Sequence, residues 1–153
     1  MWPFPAKKPF FSKEENEKIV LSIQDAERQT SGEIRLFVEG HCKYVDPLDR
    51  AAEIFANLQM EKTELRNGVL FYVAIKDKQL AIFADSGIHA AAGDKFWKET
   101  VRQILSVFSK ESVVAGIIAT IVKIGDALKS HFPYDKEVDK NELPDEIIFG
   151  ELT

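Results

Sequence analysis

From Val69 to Ile75 every residue is apolar or aromatic: Val, Leu, Phe, Tyr, Val, Ala, Ile. A run this short, rich in β-branched and aromatic types, predicts a strand covered on both faces. Lys76-Asp77-Lys78 then reverses the chain, and Leu80-Ala81-Ile82-Phe83-Ala84 returns beside the first run as the second arm of a hairpin. Asp85-Ser86-Gly87 ends that arm with turn chemistry, since Gly tolerates positive φ and Asp bonds neighbouring amides. Asn67 and Asp85 therefore meet at the open mouth of one hydrophobic hairpin.

The other elements arrange themselves around that hairpin. Ser12 and Glu15 form a capping box, so a helix starts there, with Ile19, Ile23 and Ala26 as its buried stripe and Gly32 as its stop. Glu33 to Glu39 alternates Ile34, Leu36 and Val38 against Glu33, Arg35, Phe37 and Glu39, which reads as a strand with one face firmly buried. A polar loop, Gly40 to Pro47, leads to a second helix from about Leu48, with Ala51, Ala52, Phe55 and Leu58 inward. Strand, helix, strand makes a right-handed crossover, so the first two strands run parallel. After Gly87 a small-residue passage forms a short helical turn. Asp94 caps a helix that turns Phe96, Trp97, Val101, Ile104, Leu105 and Phe108 inward. Ser109 caps a last helix to about His131, burying Val114, Ile117, Ile118, Ile121 and Leu128. Ile147-Ile148-Phe149 is an apolar foot that docks on the body. The expected fold class is α/β, a three-layer α/β/α sandwich: a small mixed sheet (crossover plus hairpin) with flanking helices. Residues 1–11 form an aromatic N-terminal extension, 12–132 the folded domain and 133–153 an acidic tail.

With 153 residues the chain can bury about 70% of its unfolded surface in one domain. Its net charge of −5 is unevenly placed. Seven acids and two lysines lie from Pro133 onward, leaving 18 acids and 18 bases elsewhere. A neutral body with an acidic tail offers no basic field for nucleic-acid phosphates, which excludes that partner class. Cys42 stands alone, so no intrachain disulfide forms. MWPFPAKKPFF is no signal-peptide core, and Val113 to Val122 is about half the length of a membrane span. The expectation is a cytoplasmic, non-spanning monomer.

The chain carries no G-x-S-x-G, no phosphate-cradling G-x-x-x-x-G-K-[ST] and no G-x-G-x-x-G. His41 beside Cys42 offers half of a metal or nucleophile pair, but sequence neighbours point apart in a strand, and an ordinary exposed loop is the expected reading. Carboxylates do recur at element ends: Asp46 and Asp49 after the first strand, Asp85 and Asp94 after the third, near Asn67. Calcium takes six to eight oxygens from such loops, although the same acids also serve as turn and helix caps.

Three passages together resemble the TPM domain family, also labelled TPM phosphatase: AERQTSGEIRLFV (Ala26 to Val38), RNGVLFYVA (Arg66 to Ala74) and IFADSGIHAAAGD (Ile82 to Asp94). The likeness spans roughly residues 12 to 132. It implies a compact α/β sandwich, calcium binding in some members, acid phosphatase activity in others, and roles in maintaining membrane protein complexes. The family's polar positions map onto Asn67, Asp85 and Asp94. Residues and resemblance together favour a divalent-cation (calcium) binding accessory module, with Asn67, Asp85 and Asp94 as ligands and Asp46 and Asp49 as a second cluster. One alternative is a metal-assisted phosphomonoesterase using the same acids, with Arg66 as the nearest cation for phosphate. The other is a purely structural domain that grips a protein partner through its tail or aromatic N-terminus.

Overall fold

The computed structural model describes residues 10–108, 113–135 and 146–151. The aromatic residues Trp2 and Phe4, the cap at Ser109 and most of the acidic tail lie outside them. Helix α1, Lys13–Glu27, begins at the reciprocal box: the Glu15 amide donates to Ser12 Oγ (3.1 Å) and the Ser12 amide to Glu15 Oε1 (2.8 Å). Strand β1 (Glu33–Glu39) leads through α2 (Pro47–Asn57) to β2 (Gly68–Ala74), and β3 (Gln79–Ala84) closes the hairpin. There follow α3 (Ser86–Ala92), α4 (Asp94–Phe108), α5 (Val113–His131) and a two-residue β4, Ile148–Phe149.

The sheet order is β3-β2-β1-β4. β1 and β2 are parallel from Glu33↔Gly68 to Glu39↔Ala74, as the crossover requires, and β3 is antiparallel to β2. The apolar foot becomes β4, its Ile148 and Phe149 beside Phe37 and Val38. On one face Ile34, Leu36, Val38, Val69, Phe71 and Val73 pack under α1, α4 and α5. On the other Phe37, Leu70, Tyr72 and Ala74 pack under Ala51, Ile54 and Phe55 of α2. This is the three-layer sandwich, with a single helix below and the rest above.

Several local differences have physical causes. All of β1 is buried, Glu33, Arg35 and Glu39 included, because it lies between β2 and β4 with helices on both faces. α2 starts one residue before Leu48, with Asp46 as N-cap and Pro47 in its first turn. Its buried residues are Ala51, Ile54 and Phe55, so Ile54 takes the place expected for Ala52. Asp85 rather than a free turn starts α3, and Gly93 at φ +90° ends it. Gly125 lets α5 approach α1, since a Cβ there would lie 2.8 Å from the Ala26 methyl. No helix among the described residues is long and apolar enough to cross a membrane.

Candidate binding groove and its polar rims

The hairpin does bring Asn67 and Asp85 to one rim. The Asp85 amide donates to the Gly68 carbonyl (2.9 Å), extending the β2–β3 ladder by one rung. Both residues are buried there, at 1% and 3% exposure. Asn67 is held on both sides: its carbonyl accepts from the Glu33 amide and its side-chain nitrogen reaches Ser31 Oγ at 3.4 Å. Asp85 is fully engaged. Arg66 grips it as a fork, Nε to Oδ2 at 2.7 Å and Nη2 to Oδ1 at 2.8 Å, and the Ser86 amide donates to Oδ1 at 2.7 Å. The Arg66 backbone is left-handed, φ 52°, and its carbonyl receives the amides of Gly87 and Ile88.

The remaining acids lie elsewhere. Asp94 is exposed and paired with Lys98 (2.9 Å) and His89 (3.6 Å); the Lys98 hydrogen bond, foremost, holds its carboxyl below the usual range. Asp46 spends one oxygen capping α2 through the Leu48 amide, and Asp49 sits exposed in that helix's first turn. His41 Nδ1 lies 2.7 Å from Asp77, which also accepts the Cys42 amide, so that loop is pinned to the hairpin turn rather than to another ligand. Calcium would need Asp85 oxygens that Arg66 occupies and an Asn67 amide that is buried. The residues in this arrangement do not fit a calcium ion, and no group of three His, Cys, Asp or Glu among the described residues could hold a metal. The same fork takes Arg66 away from any phosphate.

Two features escaped the sequence pattern. One is a network at the end of β1, where Glu39 accepts from Arg50 Nε and Nη2 (both 3.0 Å) and from the Tyr72 hydroxyl, while Arg50 also reaches Glu53. The signal available was the parallel register, which pairs Phe37 with Tyr72 and so sets Tyr72 two places from Glu39. The other is a groove of about 380 Å³ along the free edge of β3. Leu80, Ile82 and Ala84 form its floor, Trp97, Val101 and Leu105 of α4 one wall, and Asp46 to Leu48 part of the other. Leu105 of α4, expected inside, is 40% exposed, and Leu48 in the first turn of α2 is 44% exposed.

A mixed four-stranded sheet between helical layers, with a largely apolar groove beside its outer strand, defines a small α/β sandwich domain. Within that class, the chain belongs to the TPM domain family, which matches residues 7–127. It is similar to the NMR structure of the BA42 protein from the psychrophilic bacterium Bizionia argentinensis, with 42% identity and a TM-score of 0.84 over 94% of this chain and 97% of that one. The N-terminal domain of the cg2496 protein from Corynebacterium glutamicum shares the fold at 15% identity and a TM-score of 0.60, over 82% and 87% of the two chains. No curated protein matches the chain.

Proposed function

We propose that this TPM domain is an accessory interaction module that docks another protein along the β3 groove. The observation behind this reading is the exposed apolar lining itself: Leu48 and Leu105 stand open to solvent on either side of β3, the sheet's outer strand, whose own Leu80, Ile82 and Ala84 are buried. Exposed apolar surface gathered around a concavity marks contact sites, whereas scattered single residues do not. A photo-reactive residue at position 105 is expected to cross-link a discrete partner in cells. The same residue at Val122, exposed on α5 away from the groove, is expected to capture nothing. Equal capture at both positions would end the reading.

A further inference from the structure

The β3 groove offers side chains and withholds main chain. Leu80, Ile82 and Ala84 on its floor are 2%, 5% and 8% exposed, so an extended peptide finds no open strand to pair with. A proline-rich ligand needs open aromatic faces, but Trp97 is buried and Phe83 is packed against Phe55 at 4.7 Å. An acidic or phosphorylated motif needs a cluster of arginines. The described lining has none, and its one lysine, Lys98, is paired with Asp94 at 2.9 Å. The mode that reads apolar side chains without main chain is an amphipathic helix laid over a groove.

The dimensions suit that occupant. Trp97, Val101 and Leu105 stand four residues apart on α4, about 12 Å from first to last at about 1.5 Å per residue. On a facing helix, two leucines at i and i+4 with a lysine at i+8 cover the same length. The groove's volume of about 380 Å³ is more than twice that of an apolar cavity that accepts benzene, about 150 Å³, which is room for two large aliphatic side chains. Its charge is lopsided. α4 follows α3, which starts at Asp85, so Asp94 and Lys98 lie at the Ala84 end and Leu105 about 16 Å away, toward Leu80. Asp46 stands at this second end, since it follows β1, whose Glu39 aligns through Ala74 with Gln79. Asp94 and Lys98 offset each other, whereas Asp46 gives one oxygen to the Leu48 amide and has no partner for the other among the described residues. The exposed Leu48 and Leu105 are thus gathered around an unbalanced carboxylate.

We propose that the groove receives one amphipathic helix of a partner protein, its apolar row entering between α4 and the start of α2, and a lysine or arginine at the end of that row meeting Asp46. This rests on the docking reading and names the partner's chemistry. The cation belongs within a turn of the last apolar anchor, because exposed charges more than about 10 Å apart are screened. Leu48 and Leu105 form the rim that keeps water from the contact.

The probe is the capped helix-forming peptide Ala-Gln-Leu-Ala-Gln-Ala-Leu-Ala-Gln-Ala-Lys-Ala, with Glu in place of its Lys as control, titrated into the full ¹⁵N-labelled chain at low salt. The Lys peptide is expected to shift the Leu48, Val101 and Leu105 amides and to bind about fivefold more tightly than the Glu peptide. Asp46→Asn keeps an equally good cap on α2 and is expected to abolish that preference without disturbing the spectrum elsewhere. Leu105→Asp is expected to weaken both peptides about tenfold or more; Leu48→Ser, on the facing rim, repeats the test should that variant not fold. Shifts absent at millimolar peptide, or confined to other surfaces, overturn the proposal, as does equal affinity for the two peptides. Peptide-free shifts at Leu48 and Leu105 that grow with protein concentration overturn it too, since a second copy then holds the groove. A missing peptide response with discrete cross-linking at position 105 rejects the helix and leaves docking standing; loss of both rejects docking itself.

Discussion

Replacing Glu39 with Ala is expected to cost about 3–5 kcal/mol, the range for stripping one partner from a buried ion pair. The carboxylate side chain is 9% exposed and takes both guanidinium donors of Arg50 and the phenol of the fully buried Tyr72. Ala leaves Arg50 Nε and Nη2 and the Tyr72 hydroxyl without their carboxylate, while Glu53 still holds Nη1. Urea denaturation at pH 7 measures the loss, and a change under about 1 kcal/mol, the size of an ordinary hydrogen bond, would mean that the cluster relaxes onto water. The same residue gives a pH signature. Burial alone would raise its pKa, but the Arg50 and Tyr72 hydrogen bonds outweigh burial and hold it below its ordinary 4.5. A depressed folded-state pKa stabilises the fold above the unfolded value, and that contribution fades as pH falls through the folded one. The stability gap between the parent and Glu39→Gln is therefore expected to narrow on acidification from pH 7 to below about 4. Tyr72 is pushed the opposite way, first by burial and then by Glu39, so its phenol stays protonated throughout that range.

The second large effect is at Gly87. A Cβ there would lie 2.3 Å from the Leu65 carbonyl oxygen and 2.7 Å from that of Arg66. Both are backbone atoms, so no side chain can rotate away, and the Gly87 amide bond to Arg66 must break. Gly87→Ala is expected to cost about 3 kcal/mol and to loosen the Arg66–Asp85 fork beside it. Gly93 separates space from conformation: nothing stands within 4 Å of its would-be Cβ, but its φ is +90°. Gly93→Ala is expected to cost about 2 kcal/mol, from conformation alone. Thermal denaturation of the pair ranks them, and the reverse order would refute the clash.

These sites also show what a linear reading can reach. The Ser12 box, the hairpin and the mouth shared by Asn67 and Asp85 were legible because each is set by local chemistry or strict alternation. The Arg66 fork was not, although Arg66 is next to Asn67, because its direction depends on a left-handed backbone at a position that carries no glycine. The Glu39–Arg50–Tyr72 cluster needs three elements in register, and periodicity inside any one of them is silent on that. Leu105 fits the apolar stripe of α4, but a stripe says only which side faces the core. It does not say where the core stops. The groove exists because α4 and the start of α2 flank β3, a property of assembly rather than of any segment.

β4 has a bearing on how the domain is made. Ile148 and Phe149 supply the outer neighbour of β1, yet they leave the ribosome long after Phe37 and Val38, which they must meet. Such distant closures are slow. During synthesis the β1 flank is an unfinished margin that a stray strand can capture, and chaperone contact with the nascent chain should be concentrated there until Ile148 and Phe149 emerge.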